Sequence, residues 1–149
     1  MTSPVLWRER ITVRFSDCDP LGHVNNAVYL TYIEHARLNL WRAQFGFSSK
    51  PPAPGQRRAD GFILARAEVD FRAQAYDADV LEVRMGLGGF GRSSATYDYE
   101  IVHVPSERLV ASAKTVQVWF DYEANRSVAI SDELKQKLTQ AGSPDRSGP

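Results

Sequence analysis

Two hydrophobic periods divide the chain. In the first stretch Ile11, Val13 and Phe15 alternate with Thr12, Arg14 and Ser16, the pattern of a half-buried strand. It predicts strand one over about Glu9 to Ser16, after a lead-in of residues 1–7 in which Trp7 packs on the domain. From Asn26 the spacing lengthens. Tyr29, Ile33, Ala36 and Leu40 recur in steps of four, three and four, Tyr32, Trp41 and Phe45 widen the stripe, and Thr31, His35 and Arg42 fall on the opposite side. That spacing predicts one helix from Val28 to about Phe45 with a core-facing stripe. Asn25 or Asn26 is placed to cap its start, and Gly46 stands where a C′ glycine ends a helix.

Beyond a loop from Ser48 to Asp60 that holds Pro51, Pro52, Pro54, Gly55, Arg57 and Arg58, the period falls to two. Ile63, Ala65, Ala67, Val69, Phe71 and Ala73 form one apolar row, and Leu81, Val83, Met85 and Leu87 a second after the turn Tyr76-Asp77-Ala78-Asp79. Ala95, Tyr97, Tyr99 and Ile101 form a third, and Pro105-Ser106-Glu107 turns the chain into a last strand of about Leu109 to Tyr122. A short helical pattern from Glu133 to Leu138, with Ser131 as its cap, precedes a tail from Gly142 to Pro149 read as disordered.

The order is strand, long helix, then four long strands joined by short turns. It predicts an α+β fold in which the lone helix covers the apolar face of a five-stranded antiparallel sheet. The domain is set at residues 1–131, with 132–149 as helical pattern and tail. One helix does not protect both edges of such a sheet, so self-association is expected.

Composition narrows the function classes. Eighteen basic and 18 acidic residues cancel, leaving no global field toward nucleic acid or an anionic membrane. No apolar run reaches bilayer length, and Met1-Thr2-Ser3-Pro4 lacks the pattern of a signal peptide. The single Cys18 excludes an intrachain disulfide and a cysteine-built metal cluster. These features suit a cytoplasmic protein.

The candidate chemistry lies between strand one and the helix, in Phe15-Ser16-Asp17-Cys18-Asp19-Pro20-Leu21-Gly22-His23-Val24-Asn25-Asn26. Two acids, a Pro and a Gly make a tight turn just before a helix N-terminus, whose unpaired N–H groups and dipole favour negative charge. Acyl chemistry needs that pair of items, a base or nucleophile and an oxyanion stabiliser. With Arg14 before it and Tyr29-Leu30 and Tyr32-Ile33-Glu34-His35-Ala36-Arg37 after it, this stretch resembles the D-x-D-x-x-G-H-V-N-N opening of hotdog-fold acyl-CoA thioesterases of the 4-hydroxybenzoyl-CoA thioesterase-like group. The match is dense over residues 10–42 and one of element order over roughly residues 8–122.

The resemblance implies a hotdog fold, a long central helix wrapped by the sheet, and dimers with a continuous sheet, often paired into tetramers. It implies active sites shared between two chains and hydrolysis of an acyl-CoA, or of an acyl carrier protein thioester, without a cofactor beyond the CoA of the substrate. The second acid of the motif falls on Asp19, as general base or as nucleophile, and the N–H near Asn26 polarises the thioester carbonyl. Some relatives have a His at the Asn26 position, so His23 does not simply inherit that role; it either orients water or substrate or fixes the turn.

Each sharp assignment has a plainer counterpart. Asp19 before Pro20 is also a common turn residue, and Asp17 is read as structural, bonding turn amides or Arg14. Asn25 and Asn26 are caps first; Tyr29, with Tyr32, Trp41 and Phe90, lines an acyl pocket or simply fills core. Arg92 and Ser93, in the glycine-rich stretch Gly88 to Ser94, suit CoA phosphate, though the glycines equally mark a bulge; Arg57 and Arg58 are further phosphate candidates. Glu34, a reserve carboxylate, is more simply the partner of Arg37. Cys18 has no base beside it and is not assigned as a nucleophile. Two other functions fit less well, a hotdog acyl-thioester dehydratase and a non-catalytic acyl-thioester-binding module.

Overall fold

The computed structural model describes residues 1, 3–48, 50, 53–55 and 60–141. Arg57, Arg58 and the tail 142–149 lie outside the described residues. Strand β1 runs Val5–Thr12, helix α1 Val28–Phe45, and strands β2 to β5 run Asp60–Phe71, Val80–Phe90, Ser94–His103 and Arg108–Asp121. A two-residue strand β6, Arg126–Ser127, and helix α2, Asp132–Leu138, complete the chain. The sheet is antiparallel in the order β1-β3-β4-β5-β2, with β6 against the end of β5. This is the expected α+β hotdog architecture.

Strand one differs from its expected bounds. The alternation carries only to Val13, after which Phe15-Ser16-Asp17 tightens into a 3₁₀ turn and Phe15 is 82% exposed. The apolar character of Phe15 marked a continuing strand, but the amide of Asp17 bonds the Arg14 carbonyl and closes the turn instead. At the other end β1 begins at Val5, inside the expected lead-in, and seats Trp7 in the core.

Helix α1 lies on the inner face of the sheet. Tyr29, Tyr32, Ile33, Ala36, Leu40 and Trp41 are buried, and Thr31, His35 and Arg42 are exposed, as the spacing predicts. Opposite them are Leu81, Val83 and Met85 of β3 and Ala95, Tyr97, Tyr99 and Ile101 of β4. Polar handles fix the helix in rotation: Trp41 Nε1 donates to the Tyr97 hydroxyl at 3.0 Å, and Arg37 Nη1 to the Tyr99 hydroxyl at 3.2 Å. Gly46, at φ 69°, ends the helix in the left-handed conformation, where a Cβ would be strained.

Two features of β2 depart from the expected pattern. A bulge between Leu64 and Arg66 shifts the alternation, so that Phe62 and Leu64 share the inner face with Gln117 and Trp119, and after it Ala67, Val69 and Phe71 do. Ile63 therefore falls on the outer face, and the single row splits into two half-rows. The link from β2 to β3 is also no hairpin. β2 pairs β5 at one edge and β3 pairs β1 at the other, so residues 72–79 cross the end of the sheet. The amides of Arg72 and Ala73 bond the Val110 carbonyl, the Val24 amide bonds that of Ala75, and the Val13 amide that of Asp79. Period-two patterning reports which residues share a face, not which strands are neighbours.

Helix α2 begins at the Ser131 cap, whose hydroxyl accepts the Leu134 amide at 3.1 Å. Leu138 is fully buried, and Gln44 Nε2 bonds the Leu138 and Gln140 carbonyls, tying α2 to the end of α1.

Candidate active site

Asp17 anchors the turn that carries the candidate chemistry. It is 3% exposed; its carboxylate accepts the Arg14 amide at 3.0 Å, Arg14 Nη2 at 2.9 Å and the Tyr32 hydroxyl at 2.7 Å. Burial pushes the Asp17 carboxyl up, but the Arg14 side chain and amide and the Tyr32 hydroxyl outweigh it and hold it below the usual carboxylate range. Tyr32 is driven far upward by its own burial and by that carboxylate, so it stays a hydrogen-bond donor. Asp17 is therefore spent on structure.

The next turn is closed by an amide of Gly22 donating to the Asp19 carbonyl and an Asp19 amide donating to that of His23, both at 3.0 Å. Pro20 takes the second turn position, and Gly22 adopts φ 89°. One carboxylate oxygen of Asp19 accepts the Leu21 amide at 2.9 Å. No other described group is bonded to this carboxylate, so its second oxygen is left for a ligand or water. The neighbouring Cys18 thiol is pushed up by burial and by Asp77 and Asp17, the reverse of what a thiolate nucleophile needs.

His23 Nδ1 lies 3.2 Å from the Val24 carbonyl. A carbonyl only accepts, so the proton sits on Nδ1 and Nε2 is the free acceptor of the neutral ring. The cap differs in detail from the one predicted: Ala27 occupies the N-cap position and has no capping side chain. Asn25 acts from two residues earlier, accepting the Ala27 amide on Oδ1 at 2.9 Å and the Val28 amide on its carbonyl at 3.0 Å. The Asn26 amide has no acceptor among the described residues. It stands at the start of an 18-residue helix, where the dipole adds partial positive charge.

These groups meet in an open cleft of about 490 Å³ lined by Asp19, His23, Asn26, Tyr29 and the segment Phe71-Arg72-Ala73-Gln74. Tyr29 is buried and packs on Phe71 with ring centroids 5.5 Å apart. The segment 71–74 escaped the sequence reading. It reaches the turn only because the β2–β3 link crosses the sheet end, and the Phe71 to Gln74 pattern reads as ordinary strand. Among the described residues no group of three or more His, Cys, Asp or Glu side chains could hold a metal, and no helix is long and apolar enough to cross a membrane.

Arg92 and Ser93 are not in this cleft. They lie beside Ser94, which pairs Val118, whereas Phe71 pairs Ala111 seven residues along β5. That separation is about 23 Å within one chain. Glu34 is exposed on α1 and lines a different hollow, and Arg37, instead of pairing with it, turns inward to Tyr99 and the Trp41 ring.

A sequence profile described as the thioesterase-like superfamily matches residues 13–138. The chain is 28% identical over 131 residues to the long-chain acyl-CoA thioesterase FadM of Escherichia coli, covering 88% of this chain and 96% of that one. It is 25% identical over 128 residues to the chloroplastic acyl-acyl carrier protein thioesterase ATL3 of Arabidopsis thaliana, covering 86% of this chain and 65% of that one. Among solved structures, a Thermus thermophilus thioesterase complexed with coenzyme A and Zn superposes with a TM-score of 0.73 at 29% identity, covering 93% of this chain and 95% of that one.

Proposed function

The chain belongs to the thioesterase-like superfamily, and on that premise we propose that it hydrolyses an acyl-CoA thioester to the free acid and CoA. The observation that carries the reading is the convergence of Asp19 and Asn26 on one cleft at the start of α1. In the proposed reaction the thioester carbonyl oxygen takes up the free Asn26 amide, and the unbonded Asp19 oxygen activates water or attacks the carbonyl carbon. The C–S bond breaks and CoA leaves as its thiol, taking up the proton that Asp19 removes from the attacking water. On the nucleophilic route an Asp19–acyl anhydride forms first and the thiolate is protonated by solvent; water then hydrolyses the anhydride to the acid and frees Asp19. A single oxyanion donor of this kind is typically worth about 3 kcal/mol in rate. His23, through Nε2, orients water or substrate, Asn25 holds the loop that presents the amide, and Tyr29 with Phe71 forms the apolar wall for the first part of the acyl group.

The CoA substrate is supported by the activity in the name of the Escherichia coli relative and by the CoA-bound relative. An acyl carrier protein thioester presents the same arm, and the Arabidopsis relative is named for that substrate. The chemistry draws on a carboxylate, water and amides, so dialysis against EDTA is expected to leave the rate unchanged. A cytoplasmic location suits a CoA substrate and a chain with one cysteine.

Homodimerisation through β2 completes this reading. β2 is a long edge strand with Leu64 and Phe71 half exposed, a feature that ordinarily is covered. Antiparallel pairing of two β2 edges would set the Gly88–Ser94 hairpin of one subunit toward the Asp19 turn of the other, carrying Arg92 and Ser93 to the CoA phosphates. A tetramer of two such dimers is the further assembly expected. The test is thiol release from short, long and aromatic acyl-CoAs by the wild type and by Asp19→Asn. Turnover retained by the folded variant would remove Asp19 as catalyst and point to Glu34; binding without turnover in the wild type would indicate a thioester-binding module.

A further inference from the structure

The seam between α1 and β2 opens a second time, at the far end from Asp19. There a hollow of about 370 Å³ is walled by Trp41 and Leu38 of α1, Phe62 and Leu64 of β2, and reaches Arg37 and Gln117 at its base. Both polar side chains are deeply buried, Gln117 at 1% exposure and Arg37 at 6%. Neither amide atom of Gln117 has a hydrogen-bond partner, nor does Arg37 Nε. Buried polar atoms are almost always paired, because an unpaired one forfeits its hydration without return. Three orphan atoms on two side chains that line one hollow mark a site whose partner is missing.

We infer that this hollow recognises a hydroxyl group carried toward the far end of an aliphatic acyl chain. The orphan atoms are of both kinds, Nε–H and NH₂ donors and one carbonyl acceptor. A hydroxyl is donor and acceptor at once, and so answers Arg37 and the Gln117 carbonyl together. A carboxylate only accepts; it would leave the Gln117 oxygen unanswered and would face Glu34, which lines the same hollow. The apolar walls suit methylene groups before that hydroxyl. Arg37 lies nine residues beyond Val28, where α1 begins just after the Asn26 amide, a rise of about 14 Å and so roughly the reach of a twelve-carbon chain whose thioester lies at that helix start. This assignment rests on the thioesterase reading of the near end, but part of its test does not.

Two matched ligand pairs test it. The first is dodecanoyl-CoA against ω-hydroxydodecanoyl-CoA, compared by kcat/KM for the wild type and for Gln117→Met and Arg37→Met. The wild type is expected to favour the hydroxylated thioester about three- to tenfold, the worth of one or two net hydrogen bonds, and both variants to bring the ratio to about one. The second pair is the two free acids, titrated calorimetrically, with the same preference expected in Kd. If no thioester is cleaved but the acids are still discriminated, the hydrolase reading fails and the hollow stands. Equal treatment of each pair by the wild type overturns the inference. So does a Gln117→Met variant that keeps the preference, or one whose main effect is a shifted dimer equilibrium, which would mean that a second copy supplies the missing partners.

Discussion

The two ends of the α1–β2 seam solve the same problem, holding polar groups against a hydrophobic wall, in opposite ways. At the near end the polar groups come from a turn: Asp19 is half-buried, one oxygen is fixed by the Leu21 amide, and Asn26 is exposed, its amide unbonded among the described residues. All the buried charge there is satisfied, because Asp17 takes the Arg14 and Tyr32 bonds. At the far end the polar groups come from regular elements, Arg37 from the helix and Gln117 from the inner face of β5, and they are buried without full partners. Chemistry is best served by groups that water can reach and that a loop can aim. Discrimination is best served by buried groups that penalise the wrong ligand. On the proposed function the near end is the reacting site and the far end a selector.

The largest effect expected is at Asp19. Replacing it with Asn keeps the Leu21 bond and the turn but removes the basic oxygen, and kcat is expected to fall about 10²–10⁴-fold, measured as thiol release with unchanged circular dichroism. A folded variant within tenfold of wild type would reverse the roles of the two ends.

Asp17→Asn is expected to act on stability instead. It takes the charge from a buried carboxylate whose cationic partner, Arg14, is exposed and rehydrates on its loss. The cost is that of weakened charge-assisted hydrogen bonds, about 1–2 kcal/mol, read as a lower denaturant midpoint. The sign of the pH dependence follows from the lowered Asp17 pKa. Its stabilisation is fully present above the ordinary carboxylate pKa of about 4 and is lost as pH falls through the lower folded value. The acid limb of the wild-type stability curve should therefore flatten in Asp17→Asn. An unchanged acid limb would show that other carboxylates, such as Glu82 held low by Arg84 and Arg8 against its burial, dominate it.

These two aspartates also show what a sequence does and does not disclose. The helix, its end at Gly46 and the faces of β3 and β4 were legible because periodicity and end signals are local. The split between a structural Asp17 and an open Asp19 followed from the motif and from Arg14 three residues away. The cleft wall at 71–74 was not legible, since it depends on β2 being carried to the far edge of the sheet, a long-range pairing. Nor was Arg37: an (i, i+3) pair with Glu34 is the local expectation, and only the Tyr99 hydroxyl and the Trp41 ring across the core draw it inward.

At the far end, Gln117→Met should raise stability. The substitution nearly conserves volume and removes two orphan amide atoms, so a gain of about 1 kcal/mol, or 2–4 °C in Tm, is expected. A gain in stability joined to a loss of hydroxyl preference would show that the unsatisfied amide is kept for recognition. A loss of stability would mean that the amide is satisfied in solution, and the contrast between the two ends would narrow.

The smallest effect is expected at Arg92, and it bears on how the two ends meet. Within one chain Arg92 lies about 23 Å along the sheet from the Phe71 end of the cleft, too far to touch a substrate bound there by its phosphates. Across a β2–β2 dimer the same residue approaches the partner's turn. Its side chain is exposed, so a phosphate contact is screened and worth about 1 kcal/mol or less. Arg92→Ala is accordingly expected to raise KM for acyl-CoA up to about fivefold, more at low salt than at high, with kcat preserved. The matching N-acetylcysteamine thioester has no nucleotide and should be processed alike by both proteins. Equal weakening on both substrates would make Arg92 a support of its hairpin, where its carbonyl bonds the Ile130 amide. No change on either would take the CoA phosphates away from that hairpin and, with them, the reason for the near end of one subunit to face the far end of the next.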